Sequence, residues 1–190
     1  MKPILFNTEM VRAIQNGTKT VTRRVVKPQP LFHTGRKYIF ADGVIPKKWV
    51  GCSNIIETYQ YRPGDILYVR ETWARGSMEG GAEQYFYKAG YSKSYPISWR
   101  PSIHMPREAA RIFLRVTDVR VERLQDIDDD GVVAEGLEIG APFEELWDST
   151  IKKADRALYG WDTNPWVWVI EFERISREEA LRCRRMSKSC

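Results

Sequence analysis

Histidine is scarce in this chain: His33 and His104 are the only two among 190 residues. Cysteine is nearly as rare, with Cys52, Cys183 and Cys190 far apart and odd in number. No CxxC or HxxxH pair seeds a zinc site, so neither metal catalysis nor a bound cofactor is expected. The cysteine count argues against a disulfide scaffold and for a reducing, cytoplasmic setting. No apolar run approaches the ~20 residues of a membrane span, so no membrane partner is expected. The first apolar stretch stops at Asn7-Thr8-Glu9, too soon for a signal-peptide core. What is abundant is ring and charge: seven Trp, nine Tyr and seven Phe, with 29% charged and 43% hydrophobic residues. That balance belongs to a globular protein with a real core.

The net charge of +5 hides an uneven distribution. Residues 1–50 hold ten Lys/Arg against two Asp/Glu, a net of +8, whereas residues 51–175 have a net of −6 and residues 176–190 a net of +3. The N-terminal quarter is therefore the candidate contact for a phosphate or nucleic acid, and one electropositive cleft on an otherwise acidic body is expected.

Along the chain, Thr8 is placed to cap a helix whose face is Met10, Val11, Ala13 and Ile14, with Gly17 as its stop. Thr20 to Val26 reads as a strand. Residues 28–62 form a long excursion with a hairpin predicted near Tyr38 to Ile45, and a loop of that size is usually functional. Arg62-Pro63-Gly64-Asp65 is a turn feeding a strand from Ile66 to Trp73. Arg75 to Gly81 is a tip, and Gln84 to Lys88 another strand in which Tyr85 and Tyr87 are expected to divide between core and surface. Ala110 to Arg123 alternates as one long strand with a bulge near Thr117-Asp118. A short acidic-capped helix runs through Val132, Val133 and Leu137, and a second spans Pro142 to Leu158 with Phe143, Leu146, Trp147 and Ile151 on one side. Trp166 to Glu173 is the last strand. Trp161, Trp166 and Trp168 are assigned to the core. After Ser176 comes a basic, helix-like tail with a frayed or disordered character. Strands separated by loops rather than by regular crossover helices predict a mainly β chain with α, an α+β class built on a small closed or partly open barrel with helical insertions.

The most informative stretch is Gly17-Thr18-Lys19-Thr20-Val21-Thr22-Arg23-Arg24. A glycine lets the chain turn after the helix, and a fan of three cations and three hydroxyls emerges at the mouth of a strand. By chemistry this is an anion site, a Lys/Thr nucleophilic pair, or a solvated basic strand. Lys19 and Thr22 are three apart, so an ideal strand would point them to opposite faces. They converge only if the turn persists through Lys19 or a bulge intervenes.

Gly17-x-Lys19-x-x-x-Arg23 resembles the glycine–lysine–arginine signature of ASCH domains. Three further blocks are similar to the family and follow its order. They are Pro63-Gly64-Asp65 with Ile66 to Val69, Leu124-x-x-Ile127 followed by Ala134-Glu135-Gly136, and Trp168 to Phe172. The likeness covers most of residues 4–174 and implies a single domain over 1–175 with a PUA-like barrel. Loop insertions at 28–62 and 75–106 and a basic tail over 176–190 go beyond the smallest members. One branch of the family hydrolyses N4-acetylcytidine to cytidine and acetate. The resemblance places its functional lysine, threonine and glutamate on Lys19, Thr22 and Glu135. Arg24 stands where an acidic residue often follows in the small enzymes.

That chemistry is consistent with these residue types. The leaving nitrogen of an N4-acyl cytosine is conjugated to the ring and weakly basic, so a hydroxyl, a lysine and one acid/base carboxyl suffice. Thr22 is the candidate nucleophile, Lys19 its activator and Glu135 the acid/base; the rival is a water held by Glu135 with Lys19 polarising the carbonyl. By pattern alone Glu135 is one of several helix charges beside Asp128, Asp129, Asp130 and Glu138. Arg23 and Arg24 are candidate substrate contacts. Arg70, Glu71 and Trp73 could stack and bond a base, or form a structural ion pair under a core tryptophan. Ser102 and His104 belong to a polar-aromatic loop assigned to the pocket wall. Two other functions stay open: a non-catalytic RNA- or nucleotide-binding module using the same cleft, and a ribonuclease.

Overall fold

A computed structural model describes residues 1–30, 32–34, 37–39, 59–77, 81–92 and 97–186. The predicted hairpin from Tyr38 to Ile45 lies largely outside them, as do Cys52 and Cys190. The chain is a mixture of α and β. Five strands hydrogen-bond in one mixed sheet, and among the described residues their order has two ends and is not a closed barrel. These strands are β1 (Lys2–Leu5), β2 (Val21–Val25), β5 (Ile66–Arg70), β8 (Phe113–Arg123) and β9 (Trp166–Ile175), in the order β1-β5-β8-β9-β2. Two antiparallel pairs stand apart from it: β3 (Phe32–Thr34) with β4 (Lys37–Ile39), and β6 (Trp73–Gly76) with β7 (Gln84–Tyr87). No helix among the described residues is long and apolar enough to cross a membrane.

The contacts divide the chain into two units. The first comprises Met1–Thr20, Asp65–Arg115 and the chain from Glu173 onward. Here β1 runs parallel to β5, and β5 pairs antiparallel with the start of β8. Helix α1 (Thr8–Asn16) buries Val11 and Ile14 and ends at Gly17, whose φ of 80° is the left-handed turn a glycine adopts without strain. Its cap is one residue earlier than predicted: the Asn7 side chain, not Thr8, accepts the Met10 N–H at 2.8 Å. The expected strand from Ile66 to Trp73 breaks after Arg70, and Trp73 opens β6.

The core of this unit gathers Ile66, Trp73, Met105, Ala109, Ala110, Phe113, Ile175 and Ala180. Tyr85 and Tyr87 both pack half-buried against it. Two apart on one strand, they must share a face, so the expected division between core and surface fails. Ala180 belongs to α5 (Arg177–Met186), so the start of the basic tail is a docked helix. Ser176 and Glu179 close a reciprocal capping box at its start. The two bonds from Ser176 hold the exposed Glu179 carboxyl below its ordinary range.

The second unit comprises Val21–Gly64 and Val116–Phe172. Strand β2 pairs antiparallel with β9, Thr22 opposite Ile170 and Arg24 opposite Trp168. Cross-strand partners share a face, so Val21, Val25, Val167 and Val169 point one way, into a core with Leu124, Phe143 and Trp147. Strand β8 runs unbroken from Phe113 to Arg123, with Phe113, Leu114, Val116 and Val119 buried.

Helix α2 (Asp129–Ala134) is capped by Asp128. The helix expected over Pro142 to Leu158 is two: α3 (Phe143–Thr150) and, after a 3-10 turn, α4 (Arg156–Tyr159). The Ser149 and Thr150 hydroxyls donate back to the Leu146 and Trp147 carbonyls at 2.6 and 2.7 Å, local bonding that competes with helix continuation. Of the three assigned core tryptophans only Trp168 is buried; Trp161 and Trp166 are half-buried.

On the far side of β2 and β9 from that valine core, Tyr59 stacks on Trp168 with ring centroids 4.3 Å apart. Burial, reinforced by Tyr61 and opposed by Arg24, raises the Tyr59 phenol well above its ordinary value. A phenol with a raised folded pKa contributes stability that is complete below its unfolded value of about 10 and is lost as the pH climbs past it. Unfolding free energy is therefore expected to fall above about pH 10, by at most ~1.4 kcal/mol per pH unit for this one group. Denaturant titrations at rising pH should show a shallower decline in Tyr59→Phe; identical slopes would refute the assignment.

Candidate active site

Charged side chains are almost never fully buried unless paired, because desolvation costs several kcal/mol per ion. Among the described residues five polar or charged residues are buried: Lys19, Thr22, Arg23, Glu71 and Glu135. Four of the five are residues that the sequence pattern singles out, and the fifth, Glu135, is the one that the ASCH resemblance adds.

Three of them stand in the second unit. Arg23 and Glu135 form an ion pair, Nη1 donating to Oε1 at 3.3 Å, with 3% of each side chain exposed. The pleat of β2 puts Arg23 on the face of Val21 and Val25, above Phe143, whose ring centroid is 6.0 Å from the guanidinium carbon. Glu135 follows directly on the short helix α2 as its C-terminal cap, its N–H bonded to the Gly131 carbonyl. Thr22, the next residue along β2 from Arg23, occupies the other face with Arg24, Trp168 and Ile170. Arg24 is half-buried there.

A second carboxylate, Glu122 on β8, reaches Arg23 Nη2 at 3.7 Å. It also accepts from Arg120 Nε, and the same guanidinium serves Glu171 and, at 3.3 Å, Asp118. Desolvation opposes the charge on Arg120, but its bonds to Glu122 and Glu171 prevail and hold it above its ordinary pKa. Among the described residues Arg23 Nε has no hydrogen-bond partner.

Of these groups Arg23, Arg120, Glu122 and Glu171 line a cavity of 310 Å³ together with Val21, Ala134 and Gly131; Glu135 and Thr22 are not on its lining. Its ionisable lining is five carboxylates, Glu122, Asp126, Asp128, Asp130 and Glu171, against the guanidiniums of Arg23 and Arg120. The cleft expected to be electropositive is, at this cavity, acidic on balance. The reason is local pairing: carboxylates from β8, β9 and α2 surround the arginine that β2 contributes. No cluster of three His, Cys, Asp or Glu side chains among the described residues has the geometry to hold a metal ion.

The other predicted residues stand in the first unit. Lys19 is 2% exposed, its ammonium 5.9 Å from the Phe6 ring centroid. It precedes β2, so the strand's two-residue alternation does not govern where it points. The Arg70 Nε donates to the Met105 carbonyl at 2.9 Å. Glu71 is engaged by Arg111 through two parallel bonds of 2.9 and 3.0 Å, the structural ion pair that the sequence left open. Trp73 is buried under Arg100, and its indole N–H has no partner. Ser102 is half-buried and His104 exposed, both in one 3-10 turn leading to Met105.

Glu122, Arg120, Glu171 and Arg111 escaped the sequence reading. Their meaning lies in which strands are neighbours, and alternation along a strand does not report that. The one available signal was Arg120-Val121-Glu122, polar residues two apart on a strand and hence on one face.

No family model and no curated protein matches the chain. Among solved structures it superposes on the crystal structure of protein EF3133 from Enterococcus faecalis V583, of the DUF984 family. The TM-score is 0.44 at 11% identity, over 87% of this chain and 66% of the other, just under two thirds of that neighbour's length. Overlap at that level carries no functional argument.

Gly131 tests how tightly this region is built. A Cβ there would sit 2.9 Å from Ile127 Cγ1, 3.0 Å from Asp128 Oδ1 and 3.1 Å from Arg23 Nη2. Alanine in place of glycine gains at most about 1 kcal/mol of helix propensity, while overpacking costs about 1–3 kcal/mol. The Asp128 oxygen is held by its cap bond and the Arg23 nitrogen by Glu122, so neither yields freely. Gly131→Ala is expected to lower the denaturant midpoint; a rise would show that the guanidinium is loosely held.

Proposed function

We propose that the chain is an amidohydrolase that needs no metal and cleaves the N4-acyl amide of N4-acetylcytidine-type cytosine nucleosides, releasing cytidine and a carboxylate. The reading takes the ASCH resemblance and its PUA-like barrel as its frame. The observation that carries it is the burial of Lys19, Thr22 and Glu135. A lysine, a threonine hydroxyl and a glutamate withdrawn from water are what acyl transfer requires, and surface residues of the same types would not be buried.

In the proposed reaction the Thr22 Oγ bonds to the acyl carbon and the bond from that carbon to N4 breaks. Lys19 takes the hydroxyl proton or steadies the oxyanion, and Glu135 gives a proton to the departing nitrogen. Water then splits the acyl-threonine and restores the hydroxyl. Arg23 positions Glu135. The acidic lining beside Arg23 suits the hydroxyls and amino groups of a nucleoside better than a phosphate.

One observation favours the water route as a second reading. Thr22 lies on the opposite face of β2 from Arg23, the residue that holds Glu135. In that route Glu135 activates a water directly and Lys19 polarises the carbonyl.

Chromatography of N4-acetylcytidine incubated with the purified protein tests the proposal. Cytidine release is expected, with kcat/KM reduced by roughly 10²–10⁴ in Lys19→Ala and in Glu135→Gln. Glutamine is chosen because it leaves Arg23 a hydrogen-bond acceptor. Full activity in Thr22→Ala would select the water route and eliminate the acyl-threonine. A wild-type protein that releases no cytidine refutes the enzyme reading, leaving nucleotide binding or, if RNA is shortened, a nuclease.

A further inference from the structure

The cavity beside Arg23 carries more negative charge than a neutral nucleoside can answer. Every residue on its lining belongs to the second unit. Its 310 Å³ falls at the lower end of the range for small-molecule sites, about 300–1,000 Å³. The five carboxylates of the lining fall into two groups. Glu122 and Glu171 both accept from Arg120, whose guanidinium lines the same space. Asp126, Asp128 and Asp130 come from the 3-10 turn before α2 and from the start of that helix, and all three are exposed. Asp128 caps the helix through the Gly131 N–H. Asp126 and Asp130 have no hydrogen bond or ion pair among the described residues.

Solvated aspartates at the start of a helix are ordinary and would carry nothing alone. The independent observation is Arg23, a lining residue whose side chain is only 3% exposed. Its Nη1 donates to Glu135 and its Nη2 faces Glu122, but Nε has no acceptor among the described residues. A buried donor left unpaired is costly, and an oxygen atom brought in by a ligand removes that cost. The cavity thus offers one unspent donor and two unspent carboxylates.

This donor set selects the ligand. A divalent metal ion needs about six oxygens converging at roughly 2.0–2.6 Å, and no cluster among the described residues has that geometry. An alkylammonium asks less: it donates three hydrogen bonds and accepts carboxylates spread around a cavity. Phosphates and other anions are repelled by the same lining. We propose that the cavity binds a small organic cation in which an ammonium stands near an oxygen, an amino alcohol or an amino sugar. The ammonium meets Asp126 and Asp130, and the oxygen accepts from Arg23 Nε. The proposal does not rest on the amidohydrolase reading, since binding is read without turnover.

Isothermal titration calorimetry at low salt tests it, with glucosamine, glucose and cyclohexylamine as probes. Glucosamine is expected to bind saturably. Glucose lacks the charge and cyclohexylamine the oxygens, so each should bind at least about tenfold more weakly. Asp126→Asn with Asp130→Asn should weaken glucosamine about tenfold at an unchanged denaturant midpoint. Asp126→Asn alone should weaken it about threefold, and it supplies the reading if the double variant does not fold. Asp129 is exposed and off the lining, so Asp129→Asn removes an equal charge from the next position. Its affinity should stay within about twofold of the wild type. Glucosamine that does not bind overturns the proposal. So does an equal loss in Asp129→Asn, which marks a diffuse acidic surface, or cyclohexylamine binding as tightly as glucosamine. Displacement of glucosamine by magnesium chloride at matched ionic strength also overturns it, by marking a metal site.

Discussion

The buried contact between Arg23 and Glu135 is the constraint on which the second unit is built. Two ions withdrawn from water to 3% exposure are tolerable only as partners, since removing either would leave the other uncompensated at a cost of about 3–5 kcal/mol. Meeting that requirement fixes several local features together. Strand β2 must present Arg23 on its valine face, α2 must stop so that Glu135 caps it, and the helix must carry glycine where the guanidinium passes. Glu122 and Arg120 extend the same logic outward, each charge answered by the next, until the chain of pairs reaches half-exposed side chains on β8 and β9.

This explains why gross charge misled and residue types did not. A net of +8 over residues 1–50 is a property of the sequence, but Arg23, one of its members, is enclosed by carboxylates drawn from later segments. Charge summed along the chain predicts a field only if the charges stay unpaired in space, and pairing depends on register. Lys19, Thr22 and Arg23 stand in one local motif and Glu71 in another, so their chemistry could be read without knowing their neighbours; Glu135 was picked out only by the ASCH resemblance. Glu171 and Arg111 were not legible, because nothing beside them in the chain distinguishes them from solvated charges, and Glu122 had only its spacing from Arg120.

The fold shows the same division. The α1 face with its Gly17 stop and the last strand follow from periodicity and backbone chemistry, which are local. The overlong helix from Pro142 to Leu158 had correct apolar spacing in its first half. It stopped early because Ser149 and Thr150 turned their hydroxyls back on the backbone. The mistaken division of Tyr85 and Tyr87 was an error of arithmetic in the period of a strand. The α5 tail looked unanchored because Ala180, its one deeply buried residue among those whose side chains are described, is small, and a single alanine leaves almost no hydrophobic signature in a basic segment.

Two glutamates buried among the described residues are held in different ways. Arg111 takes both oxygens of Glu71 in a parallel pair of bonds of 2.9 and 3.0 Å. Arg23 reaches Glu135 at Oε1, at 3.3 Å, and also approaches Glu122 at 3.7 Å. The asymmetry arises from the elements that carry them. Glu71 leaves the end of β5 flush against an arginine two residues before β8. Glu135 caps the C-terminal end of the six-residue α2 and meets an arginine of β2. Each buried carboxylate is thus answered by an arginine from a distant part of the chain, and that pairing is what allows its burial.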